Sequence, residues 1–209
     1  SHVPILSKFD FASEISVNIL GHIFEQSLTD LEELQANIEN INFDKTKTKR
    51  KKDGVFYTPE YITHYIVDNT LGKLCNEKKE ELNLLDVSNP INPKKLTKQE
   101  KQTLENIYSY RDYLLNLKIL DPACGSGAFL NQALEFLIKE HDELDKLRKD
   151  FEGEGLGLYD IEASILEHNL CGVDINEDAI EIAKLSLWLR SARRGRPLTK
   201  LANKIICAN

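Results

Sequence analysis

The 209-residue sequence contains no methionine. It therefore reads as a piece excised from a longer protein, with Ser1 and His2 expected to be a cloning scar. No apolar run approaches the roughly 18 residues that span a bilayer, and the start lacks the charged, apolar and small-residue order of a signal peptide. No membrane contact is expected, and the reading is of a cytoplasmic protein. Four cysteines, Cys75, Cys124, Cys171 and Cys207, stand far apart with no CxxC and no Cys/His ligand spacing. That spacing speaks against a disulfide framework or a zinc site, so no metal is expected and the four read as reduced, small apolar side chains. Positive charge is also short. Lys and Arg number 27 against 34 Asp and Glu, a formal net charge of −7, so the surface as a whole does not grip a phosphate backbone and any such contact is local.

What is present is ordinary for a soluble globular protein: 41% apolar and 29% charged residues. Two basic clusters stand out. Lys45, Lys47, Lys49, Arg50, Lys51 and Lys52 precede Gly54 without apolar periodicity and read as a solvated linker or as a phosphate contact. Arg190, Arg193, Arg194 and Arg196 follow an apolar helical stretch and carry the same two readings. Ahead of the first cluster, Ile15, Ile19, Ile23, Leu28, Leu31 and Leu34 repeat at helical spacing. Past it, Thr58 reads as the N-cap and Pro59 as the first turn of a helix that carries Ile62, Tyr65, Ile66 and Leu74. The charged stretch 76–102, with its "SNPINPKK", reads as a peripheral insertion, and a helix is expected over residues 103–115. No internal repeat or low-complexity tract interrupts the chain.

From there the pattern changes. "LKILD" reads as a strand ending at Asp121, a helix is expected from Gly127 to about His141, and "GEGLG" breaks it. A short helix over residues 161–167, a strand "LCGVD" ending at Asp174, a helix over 177–189 and a strand in "NKIICAN" follow. This alternation is that of a doubly wound α/β sheet, whose ligand sites lie at the carboxyl ends of the strands. In "ILDPACGSGAFL" the glycines Gly125 and Gly127 allow close approach to the main chain, or simply make a tight strand-to-helix turn. The third glycine of a dinucleotide loop is missing, its place taken by Leu130, and no GK[ST] of a phosphate-binding P-loop occurs. A ligand with an amino-acid head and a nucleoside, S-adenosylmethionine, suits the set better. Asp121 suits an ammonium, loop NH groups suit a carboxylate, and Asp174 suits ribose hydroxyls. Asp174 reads equally as a cap of the helix after "DINED", and Ile175 as an edge for adenine or as core.

"GVFYTPEYITHYIVDNTL", "ILDPACGSGAFL", "NLCGVDINEDAIEIAKLSLWL" and "NKIICAN" resemble, in order, motifs X, I, II and III of the gamma-class amino-methylating DNA methyltransferases. The resemblance is greatest to the methyltransferase part of type IIG restriction-modification enzymes and related phage-defence proteins. It implies a partial, Rossmann-like, S-adenosylmethionine-dependent methyltransferase sheet with an N-terminal helical segment: residues 1–52 as helical segment and basic linker, 53–209 as the N-terminal part of the cofactor-binding domain. It implies that Phe56, Tyr57, Thr58 and Pro59 fold over the methionine end of the cofactor, the Thr58 hydroxyl meeting its carboxylate. Asp121, Ala123, Cys124, Gly125 and Gly127 would lie against the methionine moiety, Asp174 on the ribose, Ile175 on adenine and Asn209 near the adenine amino group. Cys124 is not expected to act as a nucleophile, since amino methylation passes through no covalent enzyme intermediate.

The implied reaction is methyl transfer to the N6 amino group of adenine in double-stranded DNA. In the family an [ND]-P-P-[YF] loop holds the flipped base, and no such motif occurs in these 209 residues. The groups that touch the base are thus expected beyond Asn209, with the remaining strands and the target-recognition domain, and the chain alone is expected to be inactive. Two rivals share the cofactor motifs: a methyltransferase acting on RNA, protein or a small molecule, and a non-catalytic S-adenosylmethionine-binding or interaction module.

Overall fold

A computed structural model describes residues 17–40, 42, 58–90, 92–153, 161–191 and 201–208. In chain order the described elements are α1 (Val17–Ile38), α2 (Glu60–Val67), a π-helical turn (Asp68–Gly72), α3 (Lys73–Glu81), α4 (Lys98–Asn116), β1 (Ile119–Asp121), α5 (Ala128–Glu152), α6 (Ile161–His168), β2 (Leu170–Asp174), α7 (Glu177–Ser191) and β3 (Ile205–Cys207). Helices and a three-stranded sheet in the order β1-β2-β3 make this a mixed α/β chain. It divides into two units, one formed by Ser1–Thr63, Leu120–Asn131 and Cys171–Asn209, the other by His64–Ile119 and Gln132–Leu170.

In the first unit β2 and β3 run parallel, with Gly172 opposite Ile205, Val173 opposite Ile206 and Asp174 opposite Cys207. Parallel pairing needs a crossover between the strands, and α7 supplies it. Ala179, Ile180, Ala183 and Leu187 of α7 are buried, with Leu201 and Ile205. Their three- and four-residue spacing is the apolar stripe that turns a helix onto a core. Both acids at strand ends, Asp121 and Asp174, close β1 and β2 as the strand pattern predicts.

The second unit is helical. Ile107, Tyr110 and Leu114 form the buried stripe of α4, and Leu134, Leu137, Leu144 and Phe151 that of α5. Inside it, Glu140 of α5 accepts from the ammonium of Lys79 at 2.7 Å and from the Tyr110 hydroxyl at 2.7 Å. The π-helical turn frees carbonyls that side chains take up: the Thr70 hydroxyl donates to Ile66 at 2.7 Å and the Asn69 amide to Tyr65 at 2.8 Å.

Five boundaries differ from the sequence expectation. The helix after Thr58 begins at Glu60, and the Pro59 carbonyl accepts from Ile62 and Thr63, so Pro59 and not Thr58 stands at its cap position. Of the expected insertion, residues to Glu81 remain in α3 and Lys98 already begins α4, because Thr97 and Glu100 form a reciprocal capping box. Helix α5 continues past His141 to Glu152, since apolar positions recur through Phe151, and ends where Gly153 takes φ +77. Helix α7 runs on to Ser191.

Candidate functional site

Past Asp121 the chain turns through Pro122–Gly127 and enters α5. Two contacts hold this loop to the end of β2: the Cys124 amide donates to Val173 at 2.9 Å, and the Gly125 amide to Asp174 Oδ2 at 2.8 Å. The loop lies this low because β2 carries Gly172 at its centre. A Cβ there would stand 2.7 Å from Leu130 Cδ1 and 3.0 Å from Cys124 Sγ. An isolated glycine inside a strand marks such close approach, and that signal in "LCGVD" is the one by which sequence reasoning could have found Gly172.

Gly125 and Gly127 both adopt positive φ, +51 and +88, which side chains rarely tolerate. Their surroundings separate them. A Cβ on Gly127 would lie 3.1 Å from Ala183 Cβ, so this glycine lets α7 pack on the loop; a Cβ on Gly125 would meet nothing within 4 Å. Open backbone, the feature a ligand uses, is therefore at Gly125.

The two carboxylates are unlike. Asp121 Oδ1 accepts from the Ala123 amide at 3.1 Å, while its Oδ2 is buried with no partner among the described residues. Burial pushes its pKa above the usual carboxylate value, and the charge of Asp174 adds to the rise against the opposing Ala123 N–H. Asp174 has both oxygens held, Oδ2 by Gly125 and Oδ1 by the Asn176 amide at 2.9 Å. The cap of α7 belongs to Asn176, whose Oδ1 accepts from the Ala179 amide at 2.9 Å. Asp174 is thus not the capping residue, and each of its oxygens keeps a second lone pair. Ile175, next to it, is 54% exposed and is not core.

Cys124 is buried, and burial, followed by the charges of Asp121 and Asp174, pushes its thiol up to about 12. It stays protonated and is no nucleophile at neutral pH. The amides of Ala123, Cys124, Gly125 and Gly127 are all engaged within the protein, so the loop offers fewer free donors than its sequence promised. Thr58 and Pro59, half-buried, lead into α2. Phe56, Tyr57 and Asn209 lie outside the described residues, as do the first basic cluster and Arg193, Arg194 and Arg196. Sequence reasoning also missed Asn131 and Ser186, buried beneath the loop.

An open glycine, a carboxylate oxygen buried without a donor among the described residues, a second carboxylate with spare lone pairs and an exposed isoleucine are chemically suited to a ligand with a cationic head, hydroxyls and a flat apolar end. The chain is 33% identical over 192 residues, 88% of its own length, to a protein of Methanocaldococcus jannaschii named as a type II restriction enzyme and methyltransferase. It is 28% identical over 67% of its length to the adenine-specific methyltransferase BrxX of Escherichia coli, and 24% identical over 67% to the adenine-specific methyltransferase PglX of Lacticaseibacillus casei. It spans 15% of the first of these relatives and 11% of each of the other two. The MmeI DNA-methyltransferase domain matches residues 95–204, a stretch that takes in both acid-ended strands, the glycine loop and the helices that position them. With more than half of its length in that match, this chain belongs to the MmeI DNA-methyltransferase-domain family.

Proposed function

We propose that the chain is the cofactor-binding part of a DNA adenine N6-methyltransferase of a restriction-modification or phage-defence system, and that S-adenosylmethionine is the ligand. The observation that carries this reading is the Oδ2 of Asp121, buried without a donor among the described residues, in the same strand-to-helix turn as the open backbone of Gly125. A buried acceptor left without a donor costs free energy, and a ligand ammonium removes that cost. Asp174, its carboxylate oriented by Gly125 and Asn176, has lone pairs to accept from both ribose hydroxyls. Ile175 offers its exposed side chain to adenine. With the loop amides engaged, the carboxylate of the ligand falls to Thr58, in the Phe56–Pro59 stretch that would fold over the methionine end, and Ala123, Cys124 and Gly127 form the wall behind it.

In this reading the cofactor supplies an activated methyl on a sulfonium with a good leaving group. The chain's own residues would bind and orient it: Asp121 and Thr58 would hold the amino-acid head, Asp174 the ribose, and Ile175 and Asn209 the base. Rossmann-like, doubly wound topology is the frame this implies, over residues 53–209, with 1–52 as helical segment and basic linker. The target, adenine in double-stranded DNA, would be held by residues of the longer protein, since no [ND]-P-P-[YF] loop occurs in this sequence. Calorimetric titration tests the cofactor assignment. Asp174→Ala should weaken S-adenosylmethionine binding at least tenfold, given roughly 1.5 to 3 kcal/mol for each hydrogen bond to a charged acceptor; equal affinity in wild type and variant would remove Asp174 from the site.

A further inference from the structure

Beneath the glycine loop, Asn131 in the first turn of α5 is 6% exposed, and Ser186 in α7 is 1% exposed. The Asn131 side-chain amide donates to the Gly127 carbonyl at 2.8 Å and to the Ser186 hydroxyl at 2.8 Å, and that hydroxyl donates in turn to the Ala183 carbonyl at 2.9 Å. Ala183 is the residue against which Gly127 packs, so the four residues close a ring. Gly127 also accepts from the Asn131 main-chain amide at 2.9 Å, which gives its carbonyl two donors from one residue. The other half of the Asn131 side chain has nothing: Oδ1 is buried without a partner among the described residues. An apolar side chain of similar size would fill the site without leaving an acceptor unsatisfied. The side chain is held, at a cost, by its two N–H donors.

We infer that Asn131 and Ser186 are positioning residues, a buried clamp that sets the spacing between the two halves of the cofactor site. The inference rests on the cofactor reading above. One half, the loop with Asp121 and Gly125, faces the amino-acid head; the other, Asp174 and Ile175, leads directly into α7 and faces the nucleoside. On the sheet side these halves are tied by the Gly125–Asp174 and Cys124–Val173 bonds. Behind the loop, the tie is Gly127–Asn131–Ser186. A ligand that fills both halves at once gains from their correct spacing, and one that fills a single half does not. The clamp therefore raises affinity selectively for cofactor-length ligands.

S-adenosylhomocysteine, which spans both halves, and 5′-methylthioadenosine, which lacks the amino-acid head, distinguish this role from plain stabilisation. Both are titrated into the 209-residue chain and into Ser186→Ala, Asn131→Ala and the double variant, with a thermal melt of each. Ser186→Ala removes one hydroxyl and keeps the fold available should Asn131→Ala fail to fold. Expected is a three- to tenfold loss of the preference for S-adenosylhomocysteine in either single variant, with methylthioadenosine affinity changed less than twofold. The double variant should lose no more than the single ones, because the two act as a unit. An unchanged preference, or equal weakening of both ligands, overturns the clamp while leaving the cofactor reading in place. Wild type binding neither ligand overturns the cofactor reading and the clamp with it.

Discussion

Asp121 carries opposed demands. Its Oδ2 is buried without a donor among the described residues, and burial, with the nearby Asp174 charge, raises its pKa above 3.8. Between 3.8 and that raised value the folded state holds a proton that the unfolded state has lost, so stability falls as pH rises through this window and the penalty is complete above it. A ligand ammonium has the opposite preference, for the carboxylate. Asp121→Asn should therefore raise the melting temperature of the free chain near neutral pH, remove the loss of stability over the window, and weaken S-adenosylmethionine binding about tenfold, as expected for one hydrogen bond to a charged group. Melting curves across acidic and neutral pH, with calorimetry at neutral pH, read all three. Cys124 gives a second check. With its thiol pushed up to about 12 and its side chain buried, iodoacetamide at mildly alkaline pH should label the exposed Cys207 well before Cys124. Mass spectrometry of the digested protein follows the order, and early labelling of Cys124 would mean that the loop is not seated on β2.

Elements of this chain depend on small residues where they cross and on ionic pairs where they are buried. Gly127→Ala combines a positive φ of +88 with a Cβ 3.1 Å from Ala183 and should cost about 1 to 3 kcal/mol of stability. Gly125→Ala, with φ +51 and open space around its Cβ, should cost less in stability yet reduce ligand binding, since the added methyl occupies the approach to the main chain. Denaturant titration and calorimetry on the pair separate packing glycine from ligand glycine; a larger loss of binding in Gly127→Ala than in Gly125→Ala, at equal folding, would reverse the assignment. In the helical unit, Lys79→Met leaves Glu140 at 11% side-chain exposure with Tyr110 as its one remaining donor among the described residues, and a cost of about 3 to 5 kcal/mol follows. Tyr110→Phe, which leaves the ion pair in place, should cost about 1 to 2 kcal/mol. The loss of the Thr97 cap in Thr97→Ala, read in the same denaturant experiment, should cost about 1 kcal/mol.

For the chain as a whole, the proposed function leads to one expected behaviour: cofactor binding without transfer. Proximity and alignment account for roughly 7 to 11 kcal/mol of barrier lowering, and the [ND]-P-P-[YF] motif expected to align a flipped adenine does not occur in this sequence. Radiolabelled methyl from S-adenosylmethionine should not appear in mixed-sequence duplex DNA incubated with the 209-residue chain, whereas a longer chain that includes an [ND]-P-P-[YF] loop should transfer it. Label in DNA from the shorter chain would mean that the groups acting on the base lie within these residues.

Much of this is legible in the sequence alone, and the reason is locality. Apolar period, proline and glycine punctuation and an acid at each strand end are properties of neighbours in sequence, so helices, strands, their order and the pair Asp121 and Asp174 were readable from "ILDPACGSGAFL" and "LCGVDINED". Helix ends were less so, because the Thr97 capping box and the terminating Gly153 compete with a pattern that is charged or continues apolar. Three-dimensional packing alone settled the rest. It distinguished Gly125 from Gly127 through Ala183, more than fifty residues away in the sequence. It gave the cap of α7 to Asn176 and not to Asp174, a choice between polar side chains two residues apart that composition leaves open. It joined Asn131 to Ser186 across 55 residues and Lys79 to Glu140 across 61. Such pairs leave no periodic trace, because each is made by two helices meeting at a single point, and the free energy that makes them specific, the burial of polar groups with a partner at hydrogen-bond distance, exists only once the chain has folded.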